Sequence, residues 1–385
     1  MKFTRLGALI FGMWIIILVP SKAGEKKPDF SEPGSILQKA IADRVFPGCS
    51  VAVGNEAGVV WSAGFGHFTY EDKSPVVTNT IYDLASVTKV VGTTAVFMRL
   101  KALKKIKLNE RVGKHLPEFI DASPDADEKA KRKKITVKQL LTHTGGITGW
   151  KPLYRSVNSY ENLLQSIYKT PLESNPGENF RYSDLGMMML GEIASRVGGK
   201  KLSELERELV FAPLDMGDTQ RNPPANLLDR IPPTERWPEK EEFVHGIVHD
   251  ENSRAGEGIT GHAGLFSTAE DLSKLARELL LGLDGKSELF PKRVVKTFTR
   301  KQSDWNRGLG WGIASQYDTS KTALSKSAFG HTGFTGTSIW IDPERKLFII
   351  LLSNRVHPTR DNDKIGRMRS TLADAVVGAW EKNSN

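Results

Sequence analysis

The chain has 385 residues, 39% of them hydrophobic and 26% charged, a globular composition with ample length for a large core. Its formal charge of +9 suits contact with anionic envelope material, but the basic clusters at 101–107 and 129–134 come with no nucleic-acid-binding module, so no nucleic-acid partner is expected. The single cysteine, Cys49, excludes an internal disulfide and sits in a strand-like apolar run, where it reads as a buried structural thiol.

The first residues read as an export signal. Lys2 and Arg5 form a basic start, Leu6 to Val19 an apolar run, and Ser21-Lys22-Ala23 supplies small residues before a cleavage point. The run is shorter than the roughly 20 residues of a bilayer span. Residues 1–23 are therefore expected to send the chain to the periplasm or cell envelope, and an uncleaved signal is the one expected route to a membrane. Residues 24–33 form a polar linker.

A helix is predicted over 35–44, followed by strands at 50–53 and 59–63 joined by the turn-forming Asn55-Glu56-Ala57-Gly58. Apolar spacing predicts a helix over 86–104, and Thr136 is placed to cap another through Leu141. Further helices are predicted over 160–168, 185–197, 202–209 and 269–281. Strands at 337–341 and 347–352 and a helix over 363–380 complete the chain. Strands at both ends enclosing a helix-rich middle predict an α/β fold of the α+β kind. One antiparallel sheet, flanked by helices, is assembled from 34–90 and 255–385, with a mostly helical region, 91–254, inserted. The cleft between those regions is the natural ligand site.

Ser86-Val87-Thr88-Lys89 falls at the start of a predicted helix, where residues three apart share a face and can touch. A serine hydroxyl becomes a nucleophile when a base takes its proton, and a desolvated lysine can serve as that base. The helix N-terminus adds free backbone N–H groups beside a developing oxyanion. A second match, Ser166-Ile167-Tyr168-Lys169, reads as a helix with a surface lysine. Composition alone yields such matches, so Ser86 and Lys89 gain their weight from the order of the motifs downstream.

Tyr182-Ser183-Asp184 precedes a predicted helix, and His331-Thr332-Gly333 enters the C-terminal strand pair. With Leu140-Leu141-Thr142-His143-Thr144-Gly145-Gly146, Gly261-His262-Ala263-Gly264-Leu265-Phe266-Ser267-Thr268 and Gly330-His331-Thr332-Gly333-Phe334-Thr335-Gly336, this order resembles the serine β-lactamase and penicillin-recognising family. The nearest branch holds class C β-lactamases with their D-alanyl-D-alanine carboxypeptidase and esterase relatives. The resemblance implies an acyl-enzyme hydrolase needing no metal or cofactor, acting on a small molecule or peptide with an acyl bond, above all a cell-wall peptide. It implies Ser86 as nucleophile, Lys89 and Tyr182 as its proton-handling partners, and the backbone N–H groups of Ser86 and Phe334 as the oxyanion hole. Asp184, His331, Thr332 and Gly333 would face the substrate. A class C-like β-lactamase and a carboxylesterase are alternatives, as is a peptidoglycan-binding protein without turnover.

Two positions depart from the family pattern. Asp184 stands where Asn is usual, and a carboxylate only accepts where an amide also donates. It could hold Lys89 charged and shift the base role to Tyr182. His331 stands where Lys is frequent, and an imidazole is mostly neutral at neutral pH. Arg355 and Arg360 are candidates for the missing cation. His143 and His262, in glycine-flanked loops, read as structural braces. His245, His249 and Asp250 have ligand-like spacing in a segment without helical periodicity, and no metal site is expected there.

Overall fold

The computed structural model describes residues 28–384 apart from 238–239, 241, 303–304 and 315–321. The expected signal at 1–23 and the start of the linker lie outside the described residues. The first helix, Ser31–Ala42, begins earlier than its predicted start. Pro33 falls in the first turn, where its missing N–H costs nothing, and Glu32 complements the positive end of the helix.

Strands β1 (Gly48–Asn55) and β2 (Gly58–Gly66) form the predicted hairpin, with the Ala57 N–H donating to Asn55 Oδ1 at 2.8 Å. Three short strands, β3 (Tyr82–Asp83), β4 (Gln220–Arg221) and β5 (Leu265–Ser267), make a small sheet in the order β3-β5-β4. The far end of the chain supplies β6 (Gly312–Ile313), β7 (Phe329–Thr332), β8 (Ser338–Asp342) and β9 (Leu347–Ser353). The main sheet has six antiparallel strands in the order β2-β1-β9-β8-β7-β6, so the two ends of the chain meet at β1 and β9.

Alternation along those central strands divides the core in two, because successive side chains point to opposite faces. Cys49, Val51 and Val53 of β1 and Leu347, Ile349 and Leu351 of β9 pack with the N-terminal helix and the C-terminal helix, Ile365–Ser384. Ala52, Phe348, Ile350 and Leu352 face the other way, beneath helix Ala269–Asp284 and the helical region. Each fully buried aliphatic side chain stabilises the fold by roughly 1.5–3 kcal/mol. Cys49 is a buried free thiol.

In the helical region, Thr136 makes a capping box with Gln139, and Ser159 caps helix Tyr160–Lys169. The predicted helix over 202–209 is α-helical only across Leu202–Glu206 and then widens into a π-type turn, Arg207–Phe211. The predicted helix over 86–104 is likewise three pieces: a 3₁₀ turn (Ala85–Val87), a π turn (Lys89–Thr94) and an α-helix (Ala95–Ala102). The π turn lies against Glu206, and Gly92 permits the approach: a Cβ there would stand 2.3 Å from Glu206 Oε1. Among the described residues, no helix is long and apolar enough to cross a membrane.

Candidate active site

The chain leaves β3 through Leu84 and Ala85 and turns sharply, with Ala85 at φ 45°, a strained value for a residue with a Cβ. That turn presents Ser86. Lys89, one turn on and fully buried, donates from Nζ to Ser86 Oγ at 2.9 Å and to the His262 carbonyl at 3.1 Å. The same amine lies 2.8 Å from Asp184 Oδ1, carries a hydrogen bond to Tyr182 and sits 5.0 Å from the centre of the Tyr182 ring. Burial alone would pull the amine's pKa down. The Asp184 carboxylate and Tyr182 outweigh that cost and hold Lys89 above the usual ammonium range. Lys89 is thus a fixed cation beside the serine.

Helix Asp184–Gly198 positions the second group. Ser183 caps it, accepting from the Gly186 N–H at 2.9 Å and donating to the Thr148 carbonyl at 2.7 Å. The Asp184 N–H donates to Gly149 O at 2.8 Å. Tyr182, just ahead of the cap, lies 4.8 Å, ring centre to ring centre, from His143, whose Nδ1 accepts the Ser183 N–H at 3.1 Å. Burial, with the charges of Arg307 and Lys89, pushes His143 well below the normal histidine range, in keeping with that acceptor role.

The third group comes from the end of β7. His331 is buried, its ring 6.0 Å from that of Tyr182, and its Nδ1–H donates to the Thr332 carbonyl at 2.8 Å, which makes Nε2 the acceptor. Burial, then the nearby Arg307 and Lys89 charges, hold it far below the usual histidine pKa and therefore neutral. Thr332 follows, paired with Ser338. At Gly333 a Cβ would lie 2.4 Å from the Leu84 carbonyl, so glycine alone lets this turn seat on the nucleophile turn. Thr337 fastens the two by donating to Leu84 O at 2.8 Å. Among the described residues neither the Ser86 nor the Phe334 backbone N–H has a protein acceptor.

The Phe334 side chain is half-exposed and stacks on His249, with ring centres 5.7 Å apart. The Arg355 guanidinium carbon lies 4.4 Å from the Phe334 ring centre, but its donors go to the carbonyls of Phe334, Arg360 and Asn362. Arg360 is bound to Glu235 and Glu251. Both arginines therefore flank Phe334 while engaged with their own chain.

Two groups at this junction, Arg307 and Asp83, are not singled out by the sequence motifs. Arg307 is buried with its guanidinium carbon 5.5 Å from the Tyr182 ring centre and 5.3 Å from that of Phe180. The glycine-rich stretch 308–312 beside it was the available signal. Asp83 is the other, while His262, expected as a structural brace, takes that part together with Asp250. His262 Nε2 lies 2.8 Å from Asp250 Oδ1 and its Nδ1 lies 2.9 Å from Thr260 Oγ1, bracing the loop whose carbonyl receives Lys89. The set His245, His249 and Asp250 is dispersed: His245 contacts the Leu228 and Ile231 carbonyls, His249 pairs with Glu235, and Asp250 with His262.

A sheet closed by both chain ends, a helical insertion and a serine–lysine–tyrosine junction together define the class, that of a hydrolase. The β-lactamase family model matches residues 35–373, and the chain belongs to that family. A Salmonella agona (strain SL483) protein named "Putative D-alanyl-D-alanine carboxypeptidase" is 32% identical over 378 residues, spanning 88% of this chain and 86% of that protein. A protein of the same name from Escherichia coli (strain K12) is 31% identical over 382 residues, spanning 90% of this chain and 87% of its own. Among solved structures, "EstCE1, a hydrolase with promiscuous acyltransferase activity" shares the fold, with a TM-score of 0.73, 23% identity, and coverage of 89% of this chain and 97% of that one.

Proposed function

We propose that the protein is an exported, D-alanyl-D-alanine carboxypeptidase-like hydrolase that cleaves an acyl bond of cell-wall peptides through an acyl-enzyme on Ser86. The observation that carries the reading is the Lys89 ammonium, which touches Ser86 Oγ at 2.9 Å and Asp184 at 2.8 Å while hydrogen-bonded to Tyr182. A lysine held charged cannot accept the serine proton, so the base is Tyr182 in its phenolate form, paired with the Lys89 ammonium. Ser86 Oγ attacks the carbonyl carbon as its proton passes to the Tyr182 oxygen, and Tyr182 returns that proton to the leaving amine. Water then gives a proton to Tyr182 and attacks the acyl carbon. Ser86 leaves and takes the proton back. Lys89 stabilises negative charge on both oxygens, and the Ser86 and Phe334 N–H groups receive the oxyanion. The names of the relatives support a peptide substrate.

A second reading is favoured by His331. A neutral imidazole there, with Arg355 and Arg360 engaged elsewhere, weakens the grip on a substrate carboxylate and favours ester substrates. Incubation with a labelled penicillin and a p-nitrophenyl ester separates the cases. Lasting label marks the peptidase, transient label with release a β-lactamase, and ester turnover without label an esterase. Ser86→Ala is expected to abolish every covalent mass adduct. An adduct that survives it removes Ser86 as the nucleophile.

A further inference from the structure

We infer that Asp83 is a positioning residue that sets the oxyanion hole by tying the turn that presents Ser86 to the turn that carries Phe334; the inference rests on the Ser86 acyl-enzyme reading. Asp83 is almost wholly buried at the end of β3. Its carboxylate accepts two backbone N–H groups, that of Ala85 on Oδ1 at 2.8 Å and that of His249 on Oδ2 at 2.7 Å. Its own carbonyl accepts the Thr335 hydroxyl at 2.7 Å.

Each partner belongs to a different part of the hole. Ala85 directly precedes Ser86 and holds the strained φ of 45°, a conformation that persists only when its surroundings enforce it. Thr335 directly follows Phe334. His249 belongs to the loop whose ring stacks on Phe334 at 5.7 Å. One residue therefore grips the chain beside each oxyanion donor and the loop behind the second one. The donors come from opposite ends of the sequence, and nothing local fixes the distance between them. A carboxylate suits the task because both partners are donors and it is acceptor only. An asparagine of nearly the same shape would turn an NH₂ against one of those N–H groups. Oxyanion stabilisation depends on donors held within a fraction of an ångström of the developing charge, so a small displacement is felt in the transition state.

The test compares wild type, Asp83→Asn and Thr335→Val, which removes the hydroxyl that reaches the Asp83 carbonyl and leaves the carboxylate in place. Active sites are counted by labelling with a fluorophosphonate. kcat/KM per labelled site is then measured on p-nitrophenyl acetate, and Ki for a phenylboronic acid that forms a tetrahedral adduct with the serine. The expected result is a fall in kcat/KM of about 10- to 100-fold for Asp83→Asn, smaller for Thr335→Val, with the boronate Ki rising by a matching factor. A purely structural role would lower the melting temperature and the labelled fraction, yet leave both quantities per labelled site unchanged, and that result overturns the proposal. If Asp83→Asn does not fold, Thr335→Val alone decides by the same pair of measurements. Wild type that takes no label overturns the Ser86 reading itself, whereas a labelled wild type with unchanged variants overturns only the role of Asp83.

Discussion

Asp184 sets a carboxylate, where the family pattern has an amide, beside the buried Lys89 amine. The carboxylate at 2.8 Å keeps the buried amine charged and offers no donor to a substrate carbonyl. Asp184→Asn restores the donor and frees Lys89 from a fixed charge partner, and penicillin acylation is expected to rise. Stopped-flow labelling measures it, and an unchanged rate shows that Asp184 is not the discriminating group. The Ser86–Lys89 contact was legible because a three-residue helical spacing fixes it locally. Tyr182, Asp184 and His331 could be named only from motif order, since nothing local draws three distant segments together. His143 was readable as a brace, and it accepts the Ser183 N–H beside Tyr182. Asp83 and Arg307 were not legible in their parts, which arise from contacts made after folding: an Asp83 carboxylate bridging to His249 and a guanidinium enclosed beside two aromatic rings.

Among the elements, the terminal strands were readable because alternating apolar residues must line two cores. The π turns at Lys89–Thr94 and Arg207–Phe211 were not, because a single widened turn leaves the apolar spacing almost helical. These two turns flank a buried ion pair. Arg221 meets both oxygens of Glu206, at 2.7 and 2.8 Å, and its remaining donors reach the carbonyls of Gly258 and Ala263, the latter beside His262. Removing one charge strands the other in the core. Glu206→Gln is expected to cost about 3–5 kcal/mol in urea unfolding, and a loss well below that would mean the guanidinium finds other partners. Because the same arginine holds the loop that receives Lys89, the loss should extend to the site.

For the molecule as a whole, one acidic network joins segments that are far apart in the chain. Glu235 accepts from His249 at 2.9 Å and from Arg360 at 2.7 Å. Burial would raise its pKa, but those hydrogen bonds outweigh it and bring the carboxyl down to about 2. A depressed carboxyl stabilises the fold above its unfolded pKa and loses that contribution as pH falls toward the folded value. With solvent screening of this half-buried network allowed for, about 1–2 kcal/mol should disappear between about pH 5 and pH 2. Thermal unfolding across that range measures it, and Glu235→Gln should flatten the slope. An equal slope in the variant would assign the acid loss to other groups.

The pairing of Val51 with Leu351 also has a consequence for the order of events in folding. The β1–β2 hairpin can close as soon as it is made, but its inner edge then faces nothing until β9 arrives to cover it, after the whole helical insertion has been synthesised. The closing step spans that insertion, and long loops make such steps slow. A nascent chain built this way keeps an open strand edge through most of its synthesis. Its vulnerable interval is therefore set at the ribosome, by the moment at which β9 is released, and not by the strength of any contact in the finished sheet.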